Sequence, residues 1–159
     1  MSLAIALLLA ASATEPYAKP IRFTLNSWGK PLLRWRMEAD GTIELARAVD
    51  RPDGDFRRFR EVTRRTPSAP SRREWVMREL KGLRARGAHP PACGPRMTDL
   101  PYGELQWGDG PSATRLTFDS GCTGRAAARL NARLRRVSDQ IELWAAKEPD
   151  SDSRNGDLP

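Results

Sequence analysis

The chain has 159 residues and a formal net charge of +7, with 39% hydrophobic and 30% charged residues. That length fits one domain with a sizeable core, and the periodic placement of its apolar residues excludes global disorder. One histidine and two cysteines are too few for a tetrahedral zinc site, which leaves metal binding and a metal cofactor unexpected.

Met1-Ser2 is followed by an apolar run from Leu3 to Ala11 and then by the small-x-small pattern Ala11-Ser12-Ala13. This is the pattern of a cleaved secretory signal over 1–13, with a mature chain starting near Thr14. The run is shorter than the roughly 20 residues a membrane span needs. The expected location is therefore outside the cytoplasm, periplasmic or secreted.

Three strands follow. Ile21, Phe23 and Leu25 alternate with Arg22, Thr24 and Asn26; Leu33, Trp35 and Met37 alternate with Arg34, Arg36 and Glu38; Ile43 and Leu45 alternate with Thr42 and Glu44. Period-two alternation indicates a half-buried antiparallel sheet. A three-residue loop, Ala39-Asp40-Gly41, pairs Met37 with Ile43, Trp35 with Leu45 and Arg36 with Glu44. A two-residue loop would mix the faces, so the first register is expected. Between strands one and two, Trp28 sits in the turn Asn26–Pro31 and is a candidate partner-contact residue.

Residues 49–55 read as a polar turn. Asp50–Asp55 lacks the acidic spacing of a calcium loop. Phe56–Arg65 reads as a fourth, basic strand at the sheet edge, where arginines discourage edge pairing. Arg51 to Arg86 carries twelve basic and five acidic residues, a net +7. Within it Arg57, Arg58, Arg60, Arg64, Arg65, Arg72 and Arg73 form the candidate anion-binding set, because arginine's planar fork suits carboxylate and phosphate.

Ser71-Arg72-Arg73-Glu74 has the form of a capping box opening a helix over about 72–86. Its apolar face is Trp75, Val76, Leu80 and Leu83, and Gly87 is its expected stop. A proline-rich loop with His89 and Cys93 follows. A strand is expected near Met97–Leu100. Leu105 and Trp107, then Leu116 and Phe118, alternate on either side of the turn Gly108–Pro111. Pairing Trp107 with Thr114 places Leu105 against Leu116, Glu104 against Thr117 and Gln106 against Arg115.

Ala127, Leu130, Leu134, Val137, Ile141 and Trp144 recur at spacings of three and four, which predicts a helix over about 124–147 with Thr123 as cap. Residues 148–159 are acidic and polar without apolar period, and read as a disordered tail. Cys93 and Cys122 form an expected disulfide, as an even pair in an exported chain should. It would pin the start of the last helix to the loop after the first.

The expected architecture is α+β: an antiparallel sheet of about six to seven strands with two amphipathic helices on one face, in the order βββ(β)-α-βββ-α, as a single domain over 14–147. No catalytic motif is present. The lone His89 has no partner pattern, no Gly-x-Ser-x-Gly elbow occurs, and no phosphate-cradling glycine loop occurs. No cofactor is expected. The reading is a non-enzymatic binding protein that engages an anionic envelope component, such as lipid head groups at a membrane surface, rather than nucleic acid. The alternatives are an inhibitor or accessory subunit of another envelope protein, using Trp28 and the Gly108–Pro111 turn, and, more remotely, a hydrolase using the surface carboxylates Glu104 and Asp119.

Overall fold

In the computed structural model the described residues are 19–50, 58–86 and 90–157. The apolar N-terminal segment 1–13, Arg57 and His89 lie outside them. The elements are β1 (Ile21–Ser27), β2 (Lys30–Met37), β3 (Ile43–Asp50), β4 (Arg58–Arg65), α1 (Pro70–Glu79), β5 (Tyr102–Trp107), β6 (Thr114–Asp119), α2 (Arg125–Ala145) and β7 (Asp150–Asp157). The strands form one seven-stranded antiparallel sheet in the order β6-β5-β1-β2-β3-β4-β7.

Alternation decides which side of each strand is covered. Ile21, Met37, Ile43, Leu105 and Leu116 are fully buried, and Val76, Leu134, Val137 and Ile141 from the helices close over them. Both helices lie on that one face. Phe23 stacks on Trp35 at 5.4 Å and on Phe118 at 5.4 Å, which ties β1 to β2 and β6. The one buried polar group this requires is satisfied, since Trp35 Nε1 donates to Ser138 Oγ at 3.1 Å.

Two registers follow from chemistry. Met37 faces Ile43, Arg36 faces Glu44 and Trp35 faces Leu45. Gly41 completes the intervening turn at φ +81° and lies so close to the Ala69 carbonyl that any side chain there would collide. On the other side of the sheet Leu105 faces Leu116 and Trp107 faces Thr114.

Several expectations are corrected. The segment expected as a disordered tail over 148–159 is ordered as far as it is described: Asp150–Asp157 pairs with β4 from Arg58 to Arg64. Consequently β4 is not an edge strand. The reason is charge and backbone pairing, since an acidic segment lies beside an arginine-rich one and satisfies its outer hydrogen-bonding groups. Residues 97–100 form no strand; only an isolated Arg96–Cys122 bridge occurs there. The capping box is not made. Pro70 takes the first helical position after Ala69, no side chain caps the start of α1, and the helix ends before Gly82 at φ +80° rather than running to residue 86. Likewise Gly124, not Thr123, caps α2, while the Thr123 hydroxyl donates to the Pro95 carbonyl at 2.7 Å.

The expected disulfide between Cys93 and Cys122 is present. It holds the 93–97 loop against the entry to α2, where Gly124 N donates to the Cys93 carbonyl at 2.9 Å and Thr123 N to the Pro95 carbonyl at 3.0 Å.

Candidate functional site: an apolar groove with a basic rim

Helix α2 starts beside β6, where Asn131 Nδ2 donates to the Asp119 carbonyl at 2.9 Å, and reaches β3, where Arg47 pairs with Glu142. One flank of α2 is filled by α1. Trp75 and Trp144 meet edge to face at 5.5 Å, Arg136 pairs with Glu79 at 3.0 Å, and Arg133 donates to the carbonyls of Glu79 and Lys81 that α1 leaves without helical partners.

The opposite flank of α2 is not filled. There the core-facing side of the sheet continues past the helix and leaves two adjoining hollows. One, of about 440 Å³, is lined by Phe23, Leu25, Leu33, Met97, Leu100 and Leu134 among others. The second, of about 580 Å³, is lined by Leu45, Val49, Val62, Leu143, Ala145 and Ala146 with Arg47, Arg60 and Arg64. Asp139 and Glu142 line both. Apolar groups are left half in water along it: Leu143 is 62% exposed, Met97 54% and Val49 39%. Each hollow falls in the volume range of small-molecule sites, about 300–1,000 Å³.

Alternation along β4 decides where the arginines go. Arg58, Arg60 and Arg64 share the face of Val62, and Arg60 and Arg64 form the basic rim of the second hollow. Arg64 Nε pairs with Asp150 at 2.8 Å, and Arg60 is exposed. Arg65 is carried to the opposite, open face of the sheet. Arg72 donates to the Pro67 carbonyl at 3.0 Å, with its guanidinium 5.8 Å from the Trp144 ring. Arg73 is buried and works as a clamp. Its two terminal nitrogens donate to the Glu38 carbonyl at 2.9 Å and the Lys19 carbonyl at 2.8 Å, and burial lowers its pKa from the ordinary guanidinium value. Phe59 is buried, yet it stands outside the main core, with the Lys30 ammonium 5.6 Å from its ring centroid.

Trp28 is 69% exposed at the tip of the β1–β2 turn, at φ 51°. It lines neither hollow. Glu104 and Asp119 each face an arginine, Arg115 at 3.8 Å and Arg96 at 2.7 Å, and they occupy separate register positions rather than confronting each other. Among the described residues no group of three or more His, Cys, Asp or Glu side chains could hold a metal ion, and no helix is long and apolar enough to cross a membrane. No protein-family model matches the chain, and no curated protein matches it in sequence.

Sequence reasoning missed the groove. Two signals pointed to it: Val49 extends the apolar alternation of Ile43 and Leu45 beyond the helix cover, and Leu143 lies off the buried stripe of α2.

Proposed function

We propose that this is an exported, non-enzymatic binding protein whose groove takes the apolar chain of an anionic amphiphile. The chain lies along Leu33, Val49, Val62 and Leu143, and the anionic head lies against Arg60, with Arg58 and Arg64 two and four residues away on the same strand face. The observation that carries this reading is the coincidence of an unfilled apolar groove with the arginine-bearing side of β4. A site made this way combines a non-directional apolar contribution with charge-assisted hydrogen bonds that fix orientation. Export is supported by the apolar N-terminal segment and by the Cys93–Cys122 disulfide.

The test is native mass spectrometry of the protein with a long-chain fatty acid and with its uncharged alcohol. The reading expects a one-to-one complex with the acid, weakened by Arg60→Gln with Arg64→Gln, and weaker binding of the alcohol. Equal binding of both compounds by the wild-type protein would contradict it.

A second reading, an inhibitor or accessory subunit docking through Trp28, is favoured by one feature. A large exposed indole at positive φ is a conformation that non-glycine residues rarely adopt and that persists where a surface uses it. Loss of partner capture from an envelope extract on Trp28→Ala, at high salt, would support that reading.

A further inference from the structure

The net charge is divided between the two layers of the fold. Residues 70–86 and 125–148, which make up the helix layer, contain twelve basic and five acidic side chains, a net +7 equal to that of the whole chain. Everything else therefore sums to zero. The sequence placed the excess in the stretch from Arg51 to Arg86. In space the acidic strand β7 lies against β4, and the uncompensated charge falls on the helices.

Pairing follows the same division, apart from Arg65, which is unpaired among the described residues on the open sheet face, and Arg136, which pairs with Glu79 on the helix layer. On the open face of the sheet Arg22, Arg34, Arg36, Arg115 and Arg154 each have a carboxylate partner. On the helix layer Arg78, Lys81, Arg86, Arg125, Arg129 and Arg135 are exposed, and none of them makes an ion pair among the described residues. Five of these six line none of the hollows described above, so no concave site gathers them around one anion. They are spread over α1, the turns that follow it and α2, which alone has 21 residues and a length of about 30 Å. A dispersed array of long, mobile cations matches a plane of mobile anionic groups better than it matches a shaped partner.

We infer that the outer side of the helix layer is a docking surface for an anionic lipid bilayer, with the ion-paired sheet face turned away from it. This stands apart from the groove, since it rests on charge distribution and pairing and would hold if the groove bound nothing.

The experiment is co-sedimentation of the full chain with phosphatidylcholine vesicles with and without phosphatidylglycerol. Two four-site variants are compared, R78Q/R86Q/R125Q/R129Q on the helices and R34Q/R65Q/R115Q/R154Q on the sheet, with circular dichroism confirming the fold of each. Both lose the same charge and keep the same N-terminal segment. Docking by the helix layer predicts that the helix variant loses at least about tenfold of its excess affinity for anionic vesicles, and the sheet variant less than about twofold. Without any substitution, the excess binding of the wild type must also vanish at about 0.5 M salt. Equal loss in both variants would reduce the effect to net charge and overturn the proposal. So would salt-insensitive binding, or tighter binding to a DNA duplex than to the vesicles.

Discussion

Arg47 on β3 and Glu142 on α2, 95 residues apart in sequence, form an ion pair across the groove between its two hollows. Their side chains are 57% and 28% exposed, so the pair contributes little to stability, about 0–1 kcal/mol. Its effect is to set a charge pair among the apolar side chains of the groove, beside Asp139. Replacing both residues, Arg47→Met with Glu142→Leu, should leave the unfolding midpoint within the shift that about 1 kcal/mol produces, and should tighten binding of a long apolar chain. Calorimetric titration measures this. Weaker binding would mean that the pair contacts the ligand.

The disulfide closes a loop with a sequence separation of 29, for which the chain-entropy model gives about 3.5 kcal/mol. Reduction, or Cys93→Ala with Cys122→Ala, should lower stability by about that amount in denaturant titrations. Among backbone amides, those of Thr123 and Gly124 should be the first to exchange faster, because their acceptors lie on the loop the bond holds.

Strand β7 has the sequence Asp-Ser-Asp-Ser-Arg-Asn-Gly-Asp, with no apolar residue. It is retained by backbone hydrogen bonds to β4 and by charge, including the Arg64–Asp150 pair and the hydrogen bond from Ser151 Oγ to the Thr63 carbonyl at 2.9 Å. Hydrogen exchange on the outer edge of β4 should therefore accelerate as salt rises, while the amides joining β1 and β2 remain protected. Unchanged protection of β4 would show that backbone pairing alone is sufficient.

Asp40 accepts from the Thr42 backbone N–H at 2.9 Å and from the Thr42 hydroxyl at 2.9 Å, and the first of these is the main reason its pKa is lowered. A carboxylate with a depressed folded pKa stabilises fully above its unfolded value, about 3.9, and that contribution is lost as pH falls through the folded value. Asp40→Asn should thus melt below the wild type at neutral pH, with the gap closing on acidification beneath pH about 4. Thermal melts across that window read it directly.

How much of this was legible depends on range. The pairings Met37–Ile43 and Leu105–Leu116 could be read because alternation and a local turn fix register within about ten residues. The stripe from Ala127 to Trp144 was legible because its period is internal to one helix. Strand β7 was not. Its residues are poor strand formers, and only the distant arginines of β4 recruit them, so tertiary pairing overrides local propensity. The α1 cap failed because Pro70 is better suited to the first helical position than Ser71 is to capping. The arginines were visible as a cluster, but β4 alternation separates Arg64 from Arg65, and burial withdraws Arg73. The groove depends on which part of the sheet α2 leaves uncovered, and no local pattern encodes that.

The most direct test is titration with an environment-sensitive fluorescent fatty acid of the wild-type protein and of Val49→Trp. Val49 is 39% exposed and lies in the groove away from the sealed core, so an indole there fills the second hollow without disturbing the fold. Binding of an amphiphile in the groove predicts saturable one-to-one fluorescence enhancement in the wild type and a loss of about tenfold or more in affinity in the variant, from displacement of several buried methylene groups. Equal affinity in the two proteins, or no saturable binding by the wild type, would contradict it.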